Sequence, residues 1–182
     1  VDLFMIIDNK DITAAAILKQ IYRLNQRVLE VGCGDGRITK KLSVKVKYLI
    51  GIDTDSTAIS RAKTALPHIE LFNASGEALP FANSSFDCVM FSLSLHHQNS
   101  DRALLEAFRV LKDGGTVIIV EPVADGQIEQ ICNLFEDETE ALASAQEAIQ
   151  SSRFKCIGTV QIYPEWIFSD VQELLSWLFD YY

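Results

Sequence analysis

Three glycines within five residues, Gly32, Gly34 and Gly36, separate a short apolar run from a segment of helix-forming residues. The apolar run, 27–31, predicts a buried strand, and residues 37–42 predict a helix. Because glycine lacks a Cβ, a turn built from it lets a ligand approach the backbone closely. The sequence therefore predicts a small-molecule site where this strand ends.

The same alternation of strand and helix continues to residue 123. Strands are predicted at 27–31, 48–52, 69–72, 86–93 and 116–120, and helices at 11–26, 37–42, 56–66 and 101–111. Continuously apolar strands separated by helices indicate a parallel sheet covered on both faces, hence an α/β fold. Such sheets bind ligands at the carboxyl ends of their strands.

The pattern becomes looser after residue 123. Residues 126–151 predict an acidic helix, 154–163 predict a strand, and a last helix begins at Ser169. From Gly126 onward there are ten acidic and two basic residues. This charge is interpreted as a solvated helical face or, alternatively, as a surface for a cationic partner.

Composition limits the classes of function. The 182 residues are 48% hydrophobic, which fits a single domain with a sizeable core over 1–182. The formal net charge of −9 argues against a nucleic-acid partner, because phosphate backbones bind clustered Lys and Arg. No apolar run is long enough to span a membrane, and residues 1–10 lack the basic region of a signal peptide. We therefore expect a cytoplasmic protein that binds neither nucleic acid nor membrane.

The four cysteines form no CxxC pair, and no histidine lies at metal-ligand spacing from them. Neither a disulfide framework nor a metal site is expected from these spacings. Cys88 and Cys156 lie in apolar runs and are predicted to be buried thiols.

The order of the glycines distinguishes two classes of ligand. A dinucleotide-binding turn has the pattern GxGxxG, whereas here the third glycine comes one residue early and Arg37 follows it. Asp35 would also repel a pyrophosphate in a partly desolvated site. The pattern therefore argues against NAD.

Residues 29–36, LEVGCGDG, resemble motif I of the class I S-adenosylmethionine-dependent methyltransferases. Further segments resemble the same family in the same order: GIDTD at 51–55, NASGEALPF at 73–81, FDCV at 86–89 with FSLSLHH at 91–97, and LKDGG at 111–115. The resemblance spans about 27–123. It implies a Rossmann-like, doubly wound and mainly parallel sheet, with S-adenosylmethionine as cofactor and S-adenosylhomocysteine as product.

The resemblance also implies roles for individual residues. Asp53 would accept hydrogen bonds from both ribose hydroxyls, as a carboxylate can, and segment 73–81 would approach the adenine. Ser75 stands where the family usually has Asp, so we expect cofactor binding to be weaker by about 1 kcal/mol. The expected cofactor-binding residues are Glu30, Gly32, Cys33, Gly34, Asp53, Thr54, Ser75, Gly76, Glu77, Phe91 and Ser92.

The resemblance identifies catalytic residues less firmly than cofactor-binding residues. The sulfonium methyl is already electrophilic, so the protein chiefly orients the acceptor. A general base is needed only where the acceptor holds its proton tightly. The candidates are His96, His97 and Tyr22, with a structural role as the alternative for each. Glu121 and Asp125 follow the fifth strand and are candidates to face the acceptor.

Together these features predict an N-terminal helical lid (1–26), a cofactor-binding core (27–123) and a C-terminal substrate and edge region (124–182). The family usually ends with an antiparallel hairpin, whereas only one candidate strand, 154–163, is found here. Either the hairpin is abridged or the sequence is cut short, and in the second case an exposed sheet edge could drive homodimerisation. The function predicted is methyl transfer to a small-molecule acceptor. The alternatives are a cofactor-binding module without transferase activity and a protein methyltransferase that acts on basic peptides.

Overall fold

A computed structural model describes residues 8, 10–21, 25–123 and 126–181. The strands are β1 (Arg27–Val31), β2 (Tyr48–Asp53), β3 (Glu70–Asn73), β4 (Phe86–Ser92) and β5 (Leu111–Val120). The helices are α1 (Ile12–Gln20), α2 (Arg37–Ser43), α3 (Ser56–Ala65), α4 (Ser100–Val110), α5 (Gln127–Cys132), α6 (Thr139–Ser151) and α7 (Val171–Tyr181). The α/β fold predicted from the sequence is confirmed, although α1 is shorter and β5 is longer than predicted.

The five strands form one parallel sheet in the order β3-β2-β1-β4-β5. In the middle, Val28 of β1 lies between Leu49 of β2 and Cys88 of β4. The strand order reverses between β1 and β4, which creates the topological switch point where such sheets bind ligands. The glycine turn follows β1 directly and is therefore placed at this point.

Alternate residues of the central strands pack against helices on opposite faces of the sheet. Leu29 and Val31 belong to the cluster that contains residues of α4 and α6. Val28 belongs to the cluster that contains Ile17 of α1 and Leu42 of α2. Both faces are covered, which explains why these strands are apolar throughout.

Two side-chain caps fix the loops that follow β2 and β4. Asp55 caps α3 by accepting a hydrogen bond from the Thr57 backbone N–H at 2.7 Å. Asn99 caps α4 by accepting one from the Arg102 backbone N–H at 3.0 Å. Because the carboxyl ends of β2 and β4 lie at the same edge of the sheet as the switch point, these caps hold the loops around it.

The C-terminal region differs from the predictions in three places. The helix expected over 126–151 is two helices, α5 and α6, separated by residues 133–138. The strand expected over 154–163 is wrong: these residues belong to no strand, and Ile157, Val160 and Tyr163 are exposed. Strand propensity depends on a partner strand to pack against, and the sheet in the described part of the chain consists of parallel pairings among β1–β5.

The prediction that Cys156 is a buried thiol is also wrong, because this residue is exposed. Cys88 is buried as predicted, and Cys33 and Cys132 are buried as well.

The described part of the N-terminal region packs on the core. Ala14 and Ile17 of α1 are buried in the cluster that contains Val28 and Met90. Tyr22 lies outside the described residues, so its candidacy as a catalytic residue stays a prediction. None of the helices in the described ranges is long and apolar enough to cross a membrane.

Candidate active site

A cavity of about 400 Å³ opens at the carboxyl ends of β1, β2 and β4. Ten of the eleven residues expected to bind the cofactor line it, namely Glu30, Gly32, Cys33, Gly34, Asp53, Thr54, Ser75, Gly76, Glu77 and Ser92. They come from four separate parts of the chain: the ends of β1, β2 and β4 and the loop after β3. The cavity is therefore built by the fold rather than by one loop.

Phe91 is the exception, and its expected place in the cavity wall is corrected by the structure. Its side chain is fully buried among the apolar residues that pack with α4 and α6. Strand residues alternate between the two faces, so Phe91 faces the core while the next residue, Ser92, ends the strand at the cavity. The Ser92 Oγ is buried and has no hydrogen-bond partner among the described residues. A buried hydroxyl without a partner is costly, and this one lines the cavity that a ligand would fill.

The glycine turn is shaped by two different constraints. Gly32 has a φ of +76°, and a Cβ added there would lie 2.3 Å from the Cβ of Ser94. The Ser94 hydroxyl donates to the Val31 carbonyl at 2.6 Å, which fixes this close approach between the loops after β1 and β4. Gly34 has a φ of +54°, and a Cβ there would meet no protein atom within 4 Å. Gly32 is therefore required by packing, whereas Gly34 leaves space open.

Asp53 connects the glycine turn to the end of β2. Its Oδ2 accepts the Gly34 backbone N–H at 2.7 Å, and its Oδ1 accepts the Asp55 backbone N–H at 2.9 Å. Each carboxylate oxygen has two lone pairs, so both retain capacity to accept a further hydrogen bond. The side chain thus fits the role of holding a cis-diol in the cavity.

Glu30 contributes a buried carboxyl to the cavity wall. Its side chain is 1% exposed, and the Thr39 hydroxyl donates to its Oε2 at 2.6 Å. Burial raises the pKa of Glu30 to about 7, against the opposing effect of the Thr39 hydrogen bond. A cationic group in the cavity would favour the ionised form, which fits the ammonium of an amino acid moiety.

The loop after β3 is held by one contact of its own and by contacts with the start of α4. The Ser75 Oγ accepts the Glu77 backbone N–H at 3.1 Å. Glu77 accepts the Asn99 backbone N–H at 3.0 Å and pairs with Arg102 at 3.6 Å. Glu77 therefore ties this loop to the start of α4, while Thr54 lines the cavity beside Asp53.

Titratable side chains gather on the other side of the cavity. His96 is buried, and its Nδ1 is hydrogen-bonded to Oε2 of Glu121, whose Oε1 accepts the Leu95 backbone N–H at 2.9 Å. His97 lines the cavity, and its Nδ1 lies 3.6 Å from Oε1 of Glu138. Burial and the charge of His96 lower the pKa of His97, with Glu138 opposing them. His97 is thus the histidine in the cavity wall, and His96 lies behind it.

Glu138 lies beside the two histidines, and the sequence did not predict it as a site residue. It follows His97 by 41 positions and lay within the single helix expected over 126–151. The break between α5 and α6 places it at the start of α6, where it contacts both histidines. Asp125, a candidate from the sequence, lies outside the described residues.

Comparison with known proteins assigns the chain to one family. The family described as "Methyltransferase domain" matches residues 29–119, which is half of the chain. A ubiquinone/menaquinone biosynthesis C-methyltransferase, UbiE, from Pectobacterium carotovorum is 34% identical over 109 residues, covering 54% of this chain and 43% of that protein. An uncharacterised methyltransferase from Mycobacterium bovis is 31% identical over 116 residues, covering 62% of this chain and 59% of that protein.

A solved structure of a SAM-dependent methyltransferase from Methanosarcina mazei superimposes with a TM-score of 0.56 at 28% identity, covering 65% of this chain and 63% of that one. The chain therefore belongs to the methyltransferase domain family, whose cofactor is S-adenosylmethionine. The chain spans about half the length of the curated relatives it matches. The resemblance noted from the five sequence segments is confirmed at the level of family and fold.

Proposed function

We propose that the protein transfers a methyl group from S-adenosylmethionine to a small-molecule acceptor. The observation that carries this proposal is the convergence of ten residues, from separate parts of the chain, on one cavity at the switch point of the sheet. Family membership supports the reaction class, and the name of the Pectobacterium relative, a C-methyltransferase of quinone biosynthesis, supports a small acceptor.

Binding would be divided among groups that lie around the cavity. Asp53 would accept from the ribose hydroxyls, and the open space beside Gly34 would admit the ligand close to backbone N–H groups. Ser75 and Gly76 would line the adenine end, and Glu30 would face the amino acid end. When bound, the cofactor supplies an electrophilic methyl group, so the protein's contribution is orientation and exclusion of water.

His97 is the residue proposed to handle a proton on the acceptor side. It lines the cavity, and burial lowers its pKa, which favours the neutral imidazole that a base requires. His96 would position it from behind, since the two rings lie with their centroids 3.9 Å apart. An acceptor that loses its proton readily would not need this step.

The experiment that tests the proposal is calorimetric titration with S-adenosylmethionine and S-adenosylhomocysteine, followed by a methyl-transfer screen with quinol and other small acceptors. A basic peptide pool serves as the comparison for protein substrates. Binding of both ligands with methyl transfer to a small acceptor is expected. A folded protein that binds neither ligand would contradict the proposal, and binding without transfer to any acceptor would favour a cofactor-binding module.

An Asp53→Ala variant makes the binding test specific to the site. Loss of hydrogen bonds to a charged group is expected to weaken S-adenosylhomocysteine binding by about 2 kcal/mol, roughly thirtyfold. Asp55→Ala is the matched control, because Asp55 is exposed, lies two residues away and caps α3 without lining the cavity. Equal weakening in both variants would mean that the loop, and not the Asp53 carboxylate, determines binding.

We also propose a cytoplasmic location and a homodimer, both as extensions of the main proposal. The four cysteines are free, which suits a reducing compartment. In the described chain β5 pairs only with β4, so one edge of this ten-residue strand is open to a second copy. Sedimentation of the purified protein tests the dimer, and cell fractionation tests the location.

A further inference from the structure

The cluster of His96, His97 and Glu138 combines imidazole and carboxylate groups in one place. The Nε2 of His96 lies 3.6 Å from Oε2 of Glu138, and the Nδ1 of His97 lies 3.6 Å from its Oε1. One ligand atom from each of the three residues can be chosen so that all lie within 4.8 Å of one another. Donor atoms around a tetrahedral Zn²⁺ lie about 3.3 Å apart, given metal–ligand bonds of ~2.0 Å. Small side-chain rotations would close this distance.

We propose that His96, His97 and Glu138 form a binding site for a divalent transition-metal ion of the Zn²⁺ type. Two imidazoles and one carboxylate are a ligand set that catalytic zinc sites use, with a fourth position left open. No ion is present at the site in this structure. The metal-binding part of the proposal does not depend on the activity proposed above.

The environment of His96 supports this assignment. Its Nδ1 is hydrogen-bonded to the Glu121 carboxylate, and this bond leaves Nε2 directed towards Glu138. A carboxylate that accepts from the far nitrogen of a metal-ligating histidine is the usual second contact in zinc sites, where it fixes the tautomer and the orientation of the ring. In the structure this contact is already formed.

Charge balance is a second argument. The side chains of Glu121 and Glu138 are only 15% and 10% exposed, and each is paired with a histidine. Carboxylates withdrawn from water are costly unless a cationic group lies beside them. A divalent cation held by the three ligands would balance both carboxylates.

The position of the cluster gives the ion a role that rests on the proposed methyl transfer. His97 lines the large cavity, whereas His96 lines a neighbouring cavity of about 320 Å³ between α4 and α6. An ion at the cluster would lie between the two. Its open position would take an oxygen of the acceptor and lower the pKa of a hydroxyl there. In the metal-bound protein this effect would replace the proton transfer to His97 proposed above, because a metal-bound imidazole cannot also act as the base. The acceptor class that fits this chemistry is a hydroxylated or enolisable molecule.

The test is metal binding itself. The protein, stripped with a chelator, would be titrated with Zn²⁺ by calorimetry and with Co²⁺ by absorption, in a Cys156→Ser background that removes the one exposed thiol. One ion per chain is expected, with the absorption of four-coordinate Co²⁺. His97→Ala and Glu138→Gln are each expected to weaken binding at least about tenfold.

Matched controls are available in the chain. His68→Ala removes the only other histidine, which is exposed, and Glu140→Gln changes an exposed carboxylate in the first turn of the same helix. Both variants are expected to bind Zn²⁺ and Co²⁺ with the affinity of the wild type. Thermal unfolding without metal would show that each variant is folded; should Glu138→Gln not fold, the half-exposed His97 still provides the test.

Three outcomes would overturn the metal site. The first is that the wild type shows no saturable binding of Zn²⁺ or Co²⁺. The second is that His97→Ala binds the ion as tightly as the wild type does, and the third is that His68→Ala no longer binds it. S-adenosylhomocysteine titration of the same samples separates this proposal from the proposed function. A protein that binds the ion but not S-adenosylhomocysteine would contradict only the function, and the reverse result would contradict only the metal site.

Discussion

The two sides of the cavity are built from different kinds of group. The glycine side, formed by residues 30–37, 53–54 and 74–77, presents a tight backbone turn with carboxylates at its edges. On the histidine side, His97 lines the cavity and is backed by His96, Glu121 and Glu138, so that titratable side chains contact one another. The first is suited to holding one extended ligand, and the second to proton transfer or metal binding. Binding and chemistry are therefore expected to be separable by mutation.

The largest effect is expected from Glu121→Ala on the histidine side. This change leaves the Leu95 backbone N–H and the His96 ring without their acceptor in a buried position. We expect the free energy of unfolding in urea to fall by about 4 kcal/mol. S-adenosylhomocysteine affinity, measured under conditions where the variant is folded, is expected to stay unchanged.

Glu121→Gln is the control, because its amide oxygen retains one acceptor. Should cofactor affinity fall together with stability in Glu121→Ala, the two sides would not be independent units.

Glu30→Gln probes the buried carboxyl of the glycine side. The unfolded chain releases this proton at its ordinary pKa of 4.5, whereas the folded protein has a pKa of about 7. Between these values the Glu30 carboxyl binds more protons in the folded state, so its contribution to stability falls as pH rises from about 4.5 to 7 and is constant above. The fall is expected to be on the order of 3 kcal/mol, from about 1.36 kcal/mol per pKa unit.

The Gln variant should lack this fall, since its side chain does not titrate, while its amide oxygen can still accept from Thr39. Urea unfolding at intervals between about pH 4.5 and pH 8 would measure it. Glu70→Gln, at an exposed position, should follow the wild type. A difference in stability between the wild type and Glu30→Gln that does not change over this range would contradict the raised pKa.

Gly34→Ala tests whether the open space beside the turn belongs to the ligand. Gly34 and Gly114 both have positive φ, and at neither would a Cβ meet a protein atom within 4 Å. Each substitution is therefore expected to cost about 1 kcal/mol of stability through backbone strain alone. Only Gly34→Ala should also weaken S-adenosylhomocysteine binding, at least about tenfold, because its methyl group would occupy space needed by the ligand.

Gly114→Ala, outside the cavity wall, is the matched control for strain. Equal affinity in both variants would mean that the ligand does not approach the turn at Gly34.

The difference between the two sides also explains what could be predicted from the sequence. The glycine side consists of short contiguous segments whose residue types and spacing are fixed by strand ends, so Asp53 and Gly34 could be named in advance. Phe91 was misplaced by one residue because β alternation, not proximity in sequence, decides which side chain faces the cavity.

The histidine side depends on contacts across long separations. Glu121 and Glu138 follow His96 by 25 and 42 positions, and the break between α5 and α6 that positions Glu138 has no proline or glycine to mark it. The largely exposed segment 154–163 was misread as a strand for a similar reason, since apolar residues alone do not provide a partner to pair with.

The smallest effect expected is a gain, from Ser75→Asp on the glycine side. The Ser75 hydroxyl accepts the Glu77 backbone N–H, and an aspartate side chain can keep this local hydrogen bond. Its second oxygen would accept from the adenine amino group with a full charge, which is expected to improve S-adenosylhomocysteine binding by about 1 kcal/mol, roughly fivefold. Calorimetry with S-inosylhomocysteine, which lacks that amino group, is the control, and there the variant should show no gain. An equal gain for both ligands would mean that the substitution acts through the loop, and the adenine would then have to lie elsewhere in the cavity.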